Sequence, residues 1–480
     1  ETDNYLRELA VNYLTSRRKL ELKSLLSNPK NNRQVADFRN ALRRADNVAK
    51  KEILENVSSD LLLDLFPCWA STDNFLSHIL PLKPRMFHLS VIDEASYCRV
   101  DSAIPTLYRA KKALVVGDPN QLKPVMFLPG TLNNAAIAKS GIKKSSTVTY
   151  NFKRPLFDIV SENLDLSAKF MLDEHFRSEQ EIIKFSSDKF YKSKLVLMTQ
   201  KPRYQEDIGK EATLNNPMPM NVHYVDGFRK YRTSPNEIEA NKAIEVAKSI
   251  INRNPDWTVG ILTPFRSQAD FGSSLLSKNF SNNELLKSKL LFDTAHQLQG
   301  DERDAIIISF VLDKNFATNQ LNWMQDETGV FNVSITRARK ELHIVSSLQP
   351  TQLPKGLFKE FLEYAEDSLV PAPPSNEYDS KFEEDVAIKL ADNDIRIIPQ
   401  FEAAGYFIDL VARKNGITLG IECDGPSHFD KEGVRTERDL ERHMRLVRAG
   451  WDLHRISYLD WEENPDKEIE KILDKFKISL

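Results

Sequence analysis

Two segments, Ser90 to Ser96 (SVIDEAS) and Gly117 to Pro124 (GDPNQLKP), carry the main information about the fold. The first includes most of the apolar run at residues 89–92 and the second follows the apolar run at residues 113–116, and each run is typical of a buried strand. Adjacent acids at a strand end suit phosphate chemistry, because one carboxylate can hold water on Mg²⁺ while its neighbour activates the attacking water. The amide of Gln121, after the second strand, could contact a γ-phosphate. An apolar strand followed by Asp-Glu is a weak signal by itself, and the second segment strengthens it.

Outward from this pair, apolar runs at residues 259–262, 305–308 and 342–345 alternate with helical stretches. This alternation predicts an α/β fold with parallel sheets and crossover helices. Residues 1–60 are highly charged, and their apolar residues recur at helical spacing, which predicts one or two long helices. Two interpretations of that segment stay open, a solvated helical stalk and an arm that contacts nucleic acid.

The composition limits the class of protein. A chain of 480 residues with 41% hydrophobic residues should hold two to four globular domains. Its net charge of −3 neither supports nor excludes nucleic-acid binding. Three scattered cysteines, Cys68, Cys98 and Cys423, favour a reducing cytoplasm. No apolar run approaches the roughly 20 residues that span a bilayer, so we expect no membrane partner. Because the first residue is Glu1, we expect the chain to begin inside a longer polypeptide.

Six motifs in a fixed order resemble those of superfamily 1 helicases, in the branch that contains the nonsense-mediated-decay helicase and its DNA-processing relatives. Asp93-Glu94 matches the second motif of that family, and Gly117 to Pro124 matches the third. The later motifs match residues 175–178, 260–268, 294–302 and 332–339. The resemblance implies an incomplete first RecA-like parallel-sheet domain at 61–165 and a second RecA-like domain at 166–355, with ATP and Mg²⁺ as cofactors.

The resemblance also implies residue roles. Asp93 would hold Mg²⁺, Glu94 would be the general base, and Gln121 would contact the γ-phosphate. Arg177 and Arg337 would act as arginine fingers, although a surface ion pair is the alternative for any single arginine. Glu302 would contact the ribose, and Arg339 would lie at the nucleotide. The residues expected near the nucleic-acid strand are Trp69, Thr263, Pro264, Arg266, Thr294 and His296.

The sequence contains no G-x-x-x-x-G-K-[ST] loop, which the resemblance places ahead of the second motif. Without that loop we expect the chain to bind ATP poorly and to hydrolyse it hardly at all. We expect truncation rather than degeneration, because the other catalytic side chains are intact. The missing N-terminal part of the same polypeptide would then be a partner.

A second unit is expected at 379–480, behind a linker at 356–378 whose end is acidic and rich in proline. Asn415-Gly416 between two alternating apolar runs predicts a hairpin. Asp409 lies six residues before Asn415 and Glu422 six after Gly416, so antiparallel pairing would place the two carboxylates opposite each other. Such a pair destabilises a sheet unless a cation compensates it, and Mg²⁺ or Mn²⁺ suits carboxylate oxygens. Two solvent-facing acids are the alternative, against which their apolar neighbours argue.

This second unit resembles the very-short-patch-repair-like endonucleases, a branch of the PD-(D/E)xK nucleases with a restriction-endonuclease-like α/β fold. The resemblance implies that Asp409 and Glu422 bind metal, with the Cys423 carbonyl as a third ligand and Glu383 acting through water. Asp424 stands where the wider superfamily has a catalytic Lys. The group that activates the nucleophile therefore stays open among Gln400, His428 and Lys431.

Five arginines recur along a predicted helix at mostly three- or four-residue intervals: Arg435, Arg438, Arg442, Arg445 and Arg448. A basic face beside a metal site suits a phosphate backbone, with Arg438 and Arg442 as its expected contacts. Ion pairs within the helix, to Glu437, Asp439 and Glu441, are the alternative.

Together these features predict an ATP-dependent helicase or translocase coupled to a metal-dependent DNA endonuclease. By analogy alone, we expect it to be the C-terminal portion of a prokaryotic defence or repair protein. We expect DNA rather than RNA as the partner. Two alternatives stay open: a non-catalytic nucleic-acid-binding scaffold with relic active sites, and an RNA-directed helicase.

Overall fold

The computed structural model describes residues 2–44, 46, 56–72, 75–76, 80–124, 130–141, 154–199, 219–315, 321–322, 327–367, 378–425 and 436–477. The chain divides into two compact units. The first comprises residues 1–119 with 123–169, and the second comprises residues 120–122 with 170–480. Among the described residues, no helix has both the length and the apolar character that crossing a membrane requires.

The first unit opens with two helices, α1 (Thr2–Leu26) and α2 (Pro29–Arg43), as the helical spacing predicted. Asn28 caps α2 by accepting a hydrogen bond from the Lys30 amide at 2.9 Å, and Pro29 suits the first helical position. Along α1 the apolar residues are exposed; Leu6 and Leu14 are 56% and 60% exposed. On α2, by contrast, Phe38 is buried in a small core. Most of the predicted arm is therefore solvated.

A pair of parallel strands, β1 (Phe87–Ile92) and β2 (Ala110–Val115), forms the sheet of the first unit. They are joined by helix α4 (Val100–Tyr108), the expected crossover. The register pairs Ile92 with Val115, so both strands end at the same edge of the sheet. The other helices of this unit are α3 (Ser59–Leu65), α5 (Gly130–Lys139) and α6 (Leu156–Asn163).

The helicase-like part of the second unit is built on a five-stranded parallel sheet in the order β5-β9-β8-β6-β7. Its strands are β5 (Met220–Tyr224), β6 (Val259–Leu262), β7 (Leu291–Asp293), β8 (Arg303–Ser309) and β9 (Ala338–Ser346). A separate short parallel pair is formed by β3 (Glu174–His175) and β4 (Val196–Leu197). The helices are α7 (Gln180–Phe190), α8 (Glu237–Arg253), α9 (Arg266–Asn279), α10 (Asn282–Lys287) and α11 (Thr328–Thr336). The predicted parallel sheet is confirmed, with the three apolar runs lying in β6, β8 and β9.

The predicted linker at 356–378 needs a correction. Helix α12 (Leu357–Asp367) occupies its first part, and Phe358, Phe361 and Leu362 on one face of this helix are buried in the core of the helicase-like part. Their spacing is that of an amphipathic helix, which places α12 in the preceding domain. The rest of the predicted linker, residues 368–377, lies outside the described residues.

The C-terminal part holds a mixed four-stranded sheet in the order β10-β11-β12-β13. Its strands are β10 (Arg396–Ala403), β11 (Tyr406–Lys414), β12 (Ile417–Asp424) and β13 (Leu453–Ser457). The first two pairings are antiparallel, and β12 pairs with β13 in parallel. The helices are α13 (Lys381–Ala391), α14 (Glu437–Arg448), α15 (Tyr458–Glu463) and α16 (Pro465–Lys475). The α/β class expected from the sequence is confirmed here too.

Candidate functional site

Asp93 and Glu94, the acids of the second motif, lie exposed in the turn directly after β1. Asp93 Oδ1 accepts a hydrogen bond from the Glu94 amide at 2.9 Å, and Glu94 has a φ of 51°, in the left-handed region. Gly117, at the end of β2, approaches this turn so closely that a Cβ there would lie 2.7 Å from Ser96 Oγ. The two sequence segments that decide the fold therefore form one compact edge of the sheet.

Arg337 and Gln121 are brought together within the second unit. Arg337 is 2% exposed and follows α11. Its Nη2 donates to Gln121 Oε1 at 3.3 Å, and its Nη1 donates to the carbonyl of Asp301 at 3.3 Å. Gly329 allows this approach, since a Cβ there would lie 2.4 Å from the Gln121 carbonyl oxygen. The predicted γ-phosphate contact and one of the predicted arginine fingers are thus direct neighbours.

A second cluster of predicted nucleotide contacts surrounds Glu302. Its Oε2 lies 2.6 Å from Arg177 Nε, and its Oε1 lies 3.6 Å from Arg339 Nε. His175, in the same motif as Arg177, accepts a hydrogen bond from the Ser178 amide at 3.0 Å. Burial, with the nearby Arg177 charge, lowers the pKa of His175 to about 4, so the imidazole is neutral and shapes the turn. Asp93 and Glu94 belong to the first unit and this cluster to the second.

The residues predicted to contact the nucleic-acid strand lie mainly after two neighbouring strands. Thr263 and Pro264 follow β6, and Thr294 and His296 follow β7, at the edge of the parallel sheet where ligands bind in open α/β folds. Arg266 begins α9; it is exposed and forms ion pairs with acids at 2.8 and 3.2 Å. In the first unit, Trp69 packs edge-on against two phenylalanine rings, with ring centroids 6.1 and 6.3 Å apart.

The hairpin of β11 and β12 has the register that the Asn-Gly turn predicted. Leu410 pairs with Ile421, which places Asp409 opposite Glu422 on one face of the sheet. Glu422 is 1% exposed, and its burial together with the neighbouring Asp409 raises its pKa to about 8. Asp409 is held in place by a hydrogen bond from the Cys423 amide to its Oδ2, at 2.7 Å.

Arg442 of α14 points into this carboxylate pair. Its Nη2 lies 2.7 Å from Glu422 Oε2 and 3.4 Å from Asp409 Oδ1, and the same nitrogen donates to the carbonyl of Phe407. Arg438, one turn earlier, is exposed. The two arginines predicted to bind phosphate therefore have different surroundings, one among acids and one in solvent.

Glu383, predicted to act at the metal through water, lies in the first turn of α13. Its Oε2 accepts from Gln400 Nε2 at 2.8 Å, and its Oε1 accepts from Ser380 Oγ at 2.8 Å. Ser380 in turn caps the helix by accepting from the Glu383 amide, so Glu383 takes part in the helix cap. Gln400, a candidate activator, is occupied with Glu383. The other two candidates, His428 and Lys431, lie outside the described residues, as does Arg435.

A buried ion cluster that the sequence analysis missed holds Asp424. Arg455 of β13 donates to both Asp424 oxygens, at 2.9 and 2.6 Å, and to Asp439 of α14 at 2.8 Å. Glu422 pairs with Arg455 in the register of β12 and β13. No local pattern predicts this, because a parallel pairing joins segments separated by a whole helix. Asp424, at the position of the superfamily's catalytic Lys, is thus committed to an ion pair.

The residues present fit an oxygen-ligated metal in part. Among the described residues, no group of three or more His, Cys, Asp or Glu side chains is gathered as a ligand set. Two facing carboxylates are present, however, and within the described part Glu422 Oε1 is buried without a hydrogen-bond partner. A buried carboxylate oxygen in that state needs a cation or a proton.

Comparisons with known families match all three parts of the chain. A family model described as an AAA domain (AAA_11) matches residues 12–128, and a second AAA domain (AAA_12) matches residues 152–349. A third model, REase_MTES_1575, matches residues 382–476.

Several longer proteins are similar to this chain. The uncharacterized ATP-dependent helicase MG140 of Mycoplasma genitalium is 25% identical over 90% of this chain and 40% of its own length. Helicase sen1 of Schizosaccharomyces pombe is 27% identical over 55% of this chain and 15% of its own length. DNA replication ATP-dependent helicase/nuclease dna2 of the same organism is 25% identical over 55% and 19%. The chain thus spans two fifths or less of these relatives.

Among solved structures, the C-terminal domain of a possible DNA helicase from Lactobacillus plantarum matches with a TM-score of 0.22 and 16% identity, over 36% of this chain and 86% of that one. The helicase of PRRSV matches with a TM-score of 0.27 and 12% identity, over 82% and 51%.

Proposed function

We propose that this chain, which carries superfamily 1 helicase domains followed by a restriction-endonuclease-like domain, couples ATP-driven movement on nucleic acid to metal-dependent cleavage of DNA. The helicase assignment is supported by the family matches and by the helicase relatives. Nuclease activity is the further step, and it depends on the C-terminal site.

The observation that carries the nuclease proposal is the pairing of Asp409 with Glu422. A solvent-facing pair of acids would not need burial, yet Glu422 is almost fully buried beside Asp409. Two anions held together away from water destabilise the fold unless a cation neutralises them. In this proposal the two carboxylates hold Mg²⁺ or Mn²⁺, which would polarise the scissile phosphate and lower the pKa of a bound water. Cys423 would contribute its carbonyl and Glu383 a water-mediated contact.

The motor residues divide the work of phosphoryl transfer. Asp93 would hold Mg²⁺ through water and Glu94 would take the proton of the attacking water, both from an exposed turn that a nucleotide can reach. Arg337 and Gln121, already in contact, would meet the transferred phosphate together, and Arg337 would stabilise its developing charge. Glu302, flanked by Arg177 and Arg339, would bind the ribose.

The proposed partner is DNA. The relative named as a DNA replication helicase/nuclease combines the two activities proposed for this chain, and its name specifies DNA. RNA is the alternative partner, and a role in prokaryotic defence or repair is part of the same proposal. The three cysteines form no disulfide within the described residues, which favours action in the cytoplasm.

The test is a cleavage assay on the full chain. Linear and supercoiled DNA, and RNA of the same sequence, are incubated with Mn²⁺, with Mg²⁺ or with EDTA. We expect Mn²⁺-dependent cleavage of DNA that is lost in Asp409→Asn. The matched control is Glu402→Gln, since Glu402 is an exposed acid on β10 of the same sheet. If the chain cleaved RNA and not DNA, RNA would be the substrate in place of the proposed DNA. A wild-type chain that neither cleaves nor binds Mn²⁺ would favour the non-catalytic scaffold.

A further inference from the structure

Glu174 joins the helicase-like part of the second unit to the C-terminal part. It forms β3 together with His175, three residues before Arg177. Its Oε1 lies 3.2 Å from Arg445 Nε and 2.5 Å from Arg448 Nη2, both on α14. Glu174 and Arg445 are 21% and 31% exposed, so their ion pair is partly shielded from solvent, whereas Arg448 is 56% exposed.

Apolar packing surrounds this ion pair. Met198, just after β4, is buried in one cluster with Ala403 and Ala404 of the β10–β11 turn and with Leu446 of α14. A Cβ on Gly405 in that turn would lie 3.5 Å from Val196 Cγ1, an ordinary van der Waals contact. The short β3–β4 pair is therefore a docking surface for the C-terminal sheet and for α14.

Three arginines of α14 contact two different groups of acids. Arg442, Arg445 and Arg448 recur every three residues, which places them on neighbouring turns of one helix side. Arg442 contacts Asp409 and Glu422, whereas the next two contact Glu174. Because α14 is one helix held at Arg442 and at Arg448, a displacement of one end of this helix would also move the other end.

We propose that Glu174 is a positioning residue for the nuclease site, which it serves by anchoring α14 and thereby holding Arg442 between Asp409 and Glu422. This inference rests on the proposed function, because it concerns the metal ligands named there. Arg177, a predicted nucleotide contact, lies in the same segment as Glu174. If this segment moves, the affinity of Asp409 and Glu422 for a divalent cation should therefore change.

The physical basis is competition between two cations. Arg442 Nη2 lies 2.7 Å from Glu422 Oε2 and 3.4 Å from Asp409 Oδ1, so its positive charge repels a divalent cation at the same carboxylates. Metal binding is therefore favoured when the guanidinium withdraws, and the anchored helix opposes that withdrawal. Loosening the anchor should raise the apparent affinity for metal, since a smaller fraction of the sites is blocked.

The experiment measures Mn²⁺ binding to the full chain by electron paramagnetic resonance, in a double-mutant cycle. We expect Arg442→Gln to raise Mn²⁺ affinity about tenfold, and Glu174→Gln to raise it on the order of threefold. In the Arg442→Gln background, Glu174→Gln should have no further effect. Replacing both Arg445 and Arg448 by Gln should act like Glu174→Gln although it changes the net charge in the opposite direction. Glu363→Gln, which removes an acid paired within α12, is the matched control.

Hydrogen exchange of the α14 amides supplies a readout that needs no metal. Faster exchange over residues 439–448 in Glu174→Gln, with unchanged exchange in the five-stranded sheet, is the expected result. The inference would be overturned if α14 exchange did not change in Glu174→Gln. It would also be overturned if Glu174→Gln changed the Mn²⁺ affinity in the Arg442→Gln background. In either case, Mn²⁺ binding by the wild type would leave the proposed function standing. If neither the wild type nor Arg442→Gln binds Mn²⁺, the proposed function and the inference both fall.

Discussion

The molecule holds two pairs of acids proposed to bind metal, and they differ in every structural respect. Asp93 and Glu94 are neighbours in sequence, lie in one turn at the end of a strand, and are exposed. Asp409 and Glu422 come from two strands, face each other, and include a carboxylate that is almost fully buried. An exposed pair can stay charged in water without a partner. A buried pair needs a cation or a proton, and Arg442 is the cation that lies at this pair.

This difference predicts two modes of metal use. The first pair, exposed in its turn, would receive Mg²⁺ together with the nucleotide. The second pair already has an internal cation, so a metal must compete with a guanidinium and with a proton. Four experiments test this contrast.

The largest effect is expected at Arg337, a proposed arginine finger. Arg337→Ala should lower ATP turnover about 10³–10⁵-fold and change nucleotide affinity much less, because an arginine finger acts mainly on the transition state. The assay is steady-state ATP hydrolysis by a polypeptide in which a phosphate-binding loop precedes this chain. Lys340→Ala, on β9 close to Arg337, is the control. A kcat near the wild-type value would remove Arg337 from the catalytic set.

Crossed variants test whether the two acid pairs work independently. Loss of a residue that only hydrogen-bonds to a metal ligand lowers metal affinity or activity about 10–100-fold. Glu422→Gln removes a proposed ligand itself, so it should lower Mn²⁺-dependent cleavage by more than that. In the same polypeptide as above, Glu94→Gln should abolish ATP turnover and leave ATP-independent cleavage intact. Measuring both activities in both variants gives four values. Loss of cleavage in Glu94→Gln without ATP would contradict the separation.

Proton competition gives the buried pair a pH dependence. Burial and Asp409 raise the pKa of Glu422 to about 8, so below that pH the carboxyl is protonated and a metal must displace the proton. Apparent Mn²⁺ affinity should rise about tenfold per pH unit up to about pH 8 and level off above it. Titrations between pH 6 and pH 9 test this, with Glu422→Gln as the variant that loses the slope. If the Mn²⁺ affinity did not depend on pH, Glu422 would not be a group that must lose a proton when the metal binds.

The smallest effect is expected at the surface beside the parallel sheet. Arg266→Ala should weaken single-stranded DNA binding by the full chain only several-fold and reduce the salt slope by about one, because a single phosphate contact is lost. Asp270 and Asp293 already neutralise part of this charge. The control is Lys287→Ala, because Lys287 lies at the end of α10 and pairs with Asp256, which lies between α8 and β6. Equal weakening by both variants would mean that Arg266 has no specific contact.

Much of the helicase half could be predicted from local patterns. The apolar runs at 259–262, 305–308 and 342–345 are confirmed as strands, because a parallel sheet covered on both faces requires continuous apolar residues. The same local reasoning failed at 357–367, where the proline-rich end of the segment hid the apolar face of α12. The amphipathic spacing of Phe358, Phe361 and Leu362 was the signal that could have corrected it.

At the C-terminal site, local sequence was enough to predict the pair of Asp409 and Glu422, because a two-residue Asn-Gly turn sets the register of the strands that it joins. The surroundings of the pair depend on tertiary contacts. Arg442 reaches the pair from α14, Arg455 of β13 binds the neighbouring Asp424, and Glu174 reaches α14 from the helicase half. Turn and strand signals act over a few residues, whereas these contacts arise from the docking of distant elements, which side-chain packing determines and no local pattern records.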